Sequence, residues 1–145
     1  MSTVRARVDI AAPVDEVFAF FDDLANAAVL VPSLDEITEV TALPDGGRRV
    51  EYTTRGRGGV RLDASSEHLV YDPPHRTVTT SVQSGVETTA TRAFTPTATG
   101  TRVEASVTWS VPVRYVAGLV SAPLRRPYRQ ALRDGLEAAR VALEG

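Results

Sequence analysis

Seven polar side chains stand where alternating segments otherwise place apolar ones: Tyr52, Thr54, Ser66, His68, Thr80, Thr88 and Arg92. A strand turns successive side chains to opposite faces, so residues that share parity with the apolar members of their own segment share the buried side. A pure core would fill such sites with Leu, Ile and Phe. Hydroxyls, an imidazole and a guanidinium there fit a pocket that hydrogen-bonds one end of an amphipathic molecule. Thr is also a good strand former, and a bulge inverts parity, so a sheet whose hydroxyls serve no ligand fits the same pattern. His68 is the best candidate for acid–base work, because imidazole titrates near neutrality. No carboxylate is placed by the sequence to orient its ring, which suits a structural histidine equally well.

Other chemistries find little support. The chain has no Cys, which excludes disulfides, thiolate metal sites and Cys nucleophiles. With only His68 and His75, no ligand-like spacing for a metal appears, and no cofactor motif is present. The Gly56-Arg57-Gly58-Gly59 stretch lacks the Gly-Lys-Ser or Gly-Lys-Thr of a phosphate loop and reads as a basic hairpin tip. No Gly-x-Ser-x-Gly nucleophile elbow occurs. All sixteen basic residues are Arg, which reads as codon bias before it reads as anion recognition. The net charge of −2 provides no global field for nucleic acid or anionic lipid. The first residues lack the apolar core of a signal peptide, and the run Ala27 to Val31 is too short to span a bilayer, so a cytoplasmic location is expected.

The elements that must position these side chains follow from periodicity. Val4, Ala6, Val8 and Ile10 alternate with Arg5, Arg7 and Asp9, a half-buried strand. Pro13 sits at a helix start with Asp15 and Glu16 in the first turn, and Val14, Val17, Phe18 and Phe21 make one apolar face. Asp22, Asp23 and Asn26 interrupt that face, and Ala27 to Val31 predicts a second short helix, the pair bracing one edge of a sheet. Ile37 to Leu43 begins a run of alternating segments broken at Pro44-Asp45-Gly46-Gly47, Gly56 to Gly59, Asp72 to His75, Ser84-Gly85 and Pro96 to Gly100. Val60, Leu62, Ala64, Ser66, His68 and Val70 share one face; so do Val78, Thr80 and Val82, and so do Val103, Ala105, Val107, Trp109 and Val111. Seven strands joined mostly by hairpin-length turns predict an antiparallel sheet. A helical segment from about Tyr115 to Leu143 closes the chain, with Leu124, Tyr128, Leu132, Leu136, Ala139 and Leu143 as its stripe. Pro123 and Pro127 predict a kink or break near Ser121 to Pro127, with Tyr115 to Val120 free to act as a gate.

This order resembles the START-like, or SRPBCC, superfamily with its helix-grip fold. The stretch Val8-Asp9-Ile10-Ala11-Ala12-Pro13-Val14-Asp15-Glu16-Val17-Phe18 looks like the family's opening. Val31-Pro32-Ser33-Leu34 followed by Val40 looks like its helix-to-strand passage, with Leu30 and Val31 where Trp is often found. Tyr71-Asp72-Pro73-Pro74-His75-Arg76 looks like its strand-ending turn. The resemblance covers residues 1–145 as one domain and implies an α+β fold: a curved seven-stranded antiparallel sheet around a long C-terminal helix, with two short helices after the first strand. It implies the function of relatives that include polyketide cyclases and dehydratases, lipid-transfer domains and coenzyme Q-binding proteins, and no catalytic motif common to all.

The expected partner is therefore a small hydrophobic or amphipathic molecule, such as a lipid, polyketide or isoprenoid, bound between sheet and helix. Tyr52, Leu62, Ser66, His68, Val82, Thr88, Trp109, Leu119 and Tyr128 are the expected wall. Two alternatives stay open. One is a cyclase or dehydratase-type enzyme that uses His68 or Tyr52 for proton transfer. The other is a protein-interaction module that works through an open sheet edge.

Overall fold

The computed structural model describes residues 2–110 and 117–145, with the backbone alone at Arg57, at Ser110 and over 117–124. Strand β1 (Ser2–Ile10) leads through Pro13 into helix α1 (Val14–Asp22). A single 3-10 turn (Leu24–Asn26) and the short helix α2 (Ala27–Leu30) follow. Strands β2 (Leu34–Ala42), β3 (Arg48–Arg55), β4 (Arg61–Asp72), β5 (Arg76–Gln83), β6 (Val86–Thr97) and β7 (Gly100–Ser110) then precede helix α3 (Ala117–Glu144). Every strand pairing is antiparallel and the order across the sheet is β1-β7-β6-β5-β4-β3-β2. The fold is the expected helix grip: a curved seven-stranded sheet around a C-terminal helix, with two short helices after β1.

β1 and β2 are consecutive in sequence yet occupy opposite edges. The two short helices therefore do more than brace one edge; they carry the chain between edges. α1 packs against β6 and β7, while α2 meets α3. Gly135 allows that last contact: a Cβ there would lie 3.0 Å from the Leu30 carbonyl oxygen. α3 lies chiefly along β1.

This asymmetry divides the interior. One half is solid. Ile10, Val17, Phe18, Phe21, Phe94, Val103, Leu136 and Ala139 form one buried cluster between α1, the β1-β7-β6 side of the sheet and α3. The other half, beneath β3 to β6, is where the cavity described below lies.

Three local expectations need correction. Of the kink or break expected at Ser121 to Pro127, the break does not occur: the backbone of α3 is helical from Ala117 through Pro123 and Pro127 to Glu144. The gate expected at Tyr115 to Val120 lies outside the residues whose side chains are described. In β4, a register shift between His68 and Val70 sets Tyr71 opposite Thr77 and Val70 opposite Val78. That bulge returns Tyr71 to the concave side and turns Val70 away from it. In β5 the inward parity is inverted. Thr77, Thr79, Ser81 and Gln83 face the interior, whereas Thr80 pairs with Glu67 and Val82 is 44% exposed. The exposed valine of β5, Val82, thus lies on the outer face of a strand whose inner face borders the cavity.

Candidate functional site

The cavity encloses about 470 Å³, within the range of small-molecule sites. Phe18 and Phe21 of α1, with Phe94 and Ala105, wall it towards the core. Leu30 of α2 and Tyr128, Ala131 and Leu132 of α3 close it opposite the sheet. Strand residues of the wall include Val50, Tyr52 and Thr54 from β3; Ser66 and His68 from β4; Thr77, Thr79, Ser81 and Gln83 from β5; and Thr88, Ala90 and Arg92 from β6. Register places Arg92 beside Thr77 and Thr88 beside Ser81. Arg92 and Thr88 are four positions apart along β6, about 13 Å at a strand's rise.

At the Arg92 end, four polar side chains form one network. The Arg48 guanidinium meets Asp22, with Nη1 3.3 Å from Oδ1, and its Nη2 donates to the Asp22 carbonyl oxygen. The Tyr71 hydroxyl donates to Asp22 Oδ2 at 2.6 Å. The Arg48 backbone N–H donates to His68 Nδ1 at 3.0 Å, and the His68 and Tyr71 rings lie 5.0 Å apart. An accepting Nδ1 assigns the hydrogen of the neutral ring to Nε2. Burial, then the Arg48 charge, hold His68 below its ordinary value of 6.5. His68 is thus a neutral donor at pH 7, with one lone pair already engaged. Burial and the bond to Asp22 push the Tyr71 phenol up to about 12.

Arg92 stands apart from this network. Its guanidinium carbon lies 5.2 Å from the centroid of the Phe21 ring, a cation–π contact. Among the described residues it has no carboxylate partner and no hydrogen-bond acceptor, and burial alone lowers its pKa. Arginine keeps its proton even so.

The far end is gentler. Gln83 Nε2 donates to Thr54 Oγ1 at 2.6 Å. Burial raises the Tyr52 phenol, and the Ser81 side chain partly offsets this. Burial also raises Tyr128. Tyr128 meets Trp109 edge to face, with ring centroids 4.7 Å apart. Trp109 is 1% exposed, and its Nε1 has no partner among the described residues.

Of the nine residues expected to form a wall, the cavity gathers Tyr52, Ser66, His68, Thr88 and Tyr128. Trp109 lies behind Tyr128. Leu62 is half-buried against Gly56, Val82 is on the outer face, and the Leu119 side chain is outside the described residues. Sequence reasoning missed Asp22, Arg48 and Tyr71. Asp22 did leave a signal: it follows Phe18 by four residues and so continues an apolar stripe with a carboxylate. Among the described residues no cluster of three or more His, Asp or Glu side chains could hold a metal ion, and no helix is long and apolar enough to cross a membrane.

Residues 1–144 match a family model described as polyketide cyclase / dehydrase and lipid transport. No curated protein is significantly similar in sequence. Solved structures are similar along the whole chain. A protein of Thermus thermophilus is 22% identical, with a TM-score of 0.77 over 99% of this chain and 100% of its own. A protein of Deinococcus radiodurans is 22% identical, with a TM-score of 0.69 over 99% and 98%. The di-domain ARO/CYC BexL, from the BE-7585A biosynthetic pathway, is 22% identical, with a TM-score of 0.78 over 99% of this chain and 50% of that one. At these identities the likeness is one of fold.

Proposed function

This chain belongs to the polyketide cyclase, dehydrase and lipid transport family, and from that premise we propose that it binds one small amphipathic molecule, without covalent attachment, between the sheet and α3. The observation that carries this reading is the cavity of about 470 Å³, lined by apolar side chains together with hydroxyls, His68 and Arg92. Filling that space with side chains would have stabilised the protein; each cavity-facing Thr or Ser in place of Leu or Ile forgoes burial worth about 1.5–3 kcal/mol. Such a lining fits a protein whose ligand completes its core. A lipid, a polyketide or an isoprenoid has the matching shape.

The cyclase or dehydratase reading is supported by the likeness to BexL and by two proton-bearing groups in the cavity, Tyr52 and His68. In it, His68 would act through Nε2–H as a donor, since Nδ1 already accepts from Arg48. The edge-interaction reading has less behind it. The free edge at β2 carries two register shifts and the exposed carboxylates Glu36 and Glu39, features that discourage an added strand.

Native mass spectrometry of protein purified from its own host tests the proposal. The expected result is a co-purifying lipophile released on denaturation. Repeated isolation of ligand-free protein that also fails to take up any amphipathic compound would sink it. Turnover of a found ligand that is abolished by His68→Ala, at nearly unchanged affinity, would move the protein to the enzyme class.

A further inference from the structure

We propose that the bound molecule carries an oxyanion, such as a carboxylate, phosphate or enolate oxygen, that pairs with Arg92. The inference rests on the cavity-binding reading and gives the ligand an orientation.

The charges at this end of the cavity leave Arg92 over. Two carboxylates border the cavity, Asp22 and Asp23. Asp23 turns its Oδ1 to the Ala25 N–H. Asp22 has its Oδ1 engaged by Arg48 and its Oδ2 by Tyr71. His68 is neutral, and its remaining hydrogen makes it a donor. Asp22 thus engages Arg48 through its terminal nitrogens and Tyr71 through its hydroxyl, Arg48 Nε stays without a partner among the described residues, and Arg92 meets only the Phe21 ring. A half-buried guanidinium that faces the cavity without a counter-charge is costly, and proteins pair such groups or place them against a ligand. Its planar fork suits two oxygens of one anionic group.

The surroundings fit the rest of such a molecule. An oxyanion at Arg92 would find the His68 donor two strands away, across Thr79 of β5, which lies opposite both His68 and Ala90. From Arg92 the wall runs past Ala90 towards Thr88, with Val107 of β7 beside Ala90 and with Leu132 and Tyr128 of α3 closing the other side. That path, about 13 Å along the strand, suits an apolar chain or fused rings with an acidic end.

Two dyes of one skeleton test the idea: 8-anilinonaphthalene-1-sulfonate, which is anionic, and N-phenyl-1-naphthylamine, which is neutral. Fluorescence titration of the wild-type protein should give at least a tenfold preference for the sulfonate, and each dye should displace the other. Arg92→Gln should erase that preference while leaving the neutral dye's affinity within about twofold, since only the charged contact is lost. Arg92→Lys should retain part of it. Arg129→Gln, on the exposed side of α3, should change neither affinity. The melting temperature of unliganded Arg92→Met should rise, because an uncompensated charge has been removed. Equal affinity for both dyes, or the same loss in Arg129→Gln as in Arg92→Gln, overturns the proposal while leaving cavity binding intact. Binding of neither dye overturns cavity binding itself. A fall in the Arg92→Met melting temperature together with an unchanged sulfonate affinity in Arg92→Lys and Arg92→Gln would assign Arg92 to the scaffold alone.

Discussion

The Tyr71 hydroxyl donates a 2.6 Å hydrogen bond to Asp22, joining β4 to the last residue of α1 across 49 positions of sequence. Burial and this bond hold the phenol protonated up to about 12, against 10.0 when unfolded. Between those values the unfolded chain has lost a proton that the folded chain retains, so stability falls as pH rises. Denaturant midpoints should decline through this window, and Tyr71→Phe should flatten part of the slope. Tyr52 and Tyr128, also raised, act in the same direction. An unchanged slope in Tyr71→Phe would assign the effect to other groups.

His68 gives the opposite limb. Its folded pKa lies below the unfolded value of 6.5, so the unfolded state binds the extra proton first. The stabilisation is complete above 6.5 and is lost as pH falls through the folded value. His68→Gln should remove this dependence. Proton NMR of the His68 ring should show a midpoint below 6.5; a midpoint above it would contradict the Arg48 N–H to Nδ1 contact.

Gly47 is held small by the same imidazole. A Cβ at this position would lie 2.8 Å from His68 Cβ and 3.1 Å from Nδ1. Gly47→Ala should destabilise the protein by about 1–3 kcal/mol, the usual cost of overpacking. It should also displace the His68 ring resonances. Urea unfolding with an unchanged midpoint would mean that the β3 turn yields freely.

Asp35 ties three strands together. Its carboxylate accepts from Arg55 Nε at 2.9 Å, Arg61 Nε at 2.8 Å and Thr53 Oγ1 at 3.2 Å. The Arg55 and Arg61 bonds hold it below its ordinary 3.8. Its contribution is present above that value and fades as pH falls through the folded one. Asp35→Asn should lower amide protection in β2 more than in β6 or β7, and should weaken the acid dependence. Uniform loss of protection across the sheet would show that the pair stabilises more than the β2 edge.

Trp109 is the chain's only tryptophan and touches Tyr128, which lines the cavity. Binding of N-phenyl-1-naphthylamine should therefore change Trp109 emission through Tyr128. Tyr128→Leu should mute that change and cost about 0.5–1.5 kcal/mol from the lost edge contact beyond its area. An undiminished response in Tyr128→Leu would imply a route other than this ring.

The fold was legible because strand alternation, turn residues and the C-terminal stripe all agree with one architecture. The cavity was legible only where that agreement holds. Tyr52, Ser66, His68 and Thr88 follow the parity of apolar neighbours and line it. Val82 and Thr80 follow the same rule and are not among the lining, because the alternate residues of β5, Thr77, Thr79, Ser81 and Gln83, face the cavity. Tyr71 was hidden by the bulge after His68, which no local pattern announces. Asp22 and Arg48 meet across 26 positions, and a pair so distant leaves no periodic trace.

β1 pairs along its length with β7, from Ser2 opposite Trp109 to Ile10 opposite Thr101. During synthesis the nascent β1 thus has no neighbour until almost the entire sheet has emerged from the ribosome. Closing so long a loop is slow, as topologies rich in distant contacts generally are. Meanwhile Val4 and Ile10, each 1% exposed in the finished protein, face water or a chaperone. α3, which lies along β1, is made later still. The grip of helix on sheet and the capture of the first strand therefore belong to one late event, and the cavity comes into being only with it.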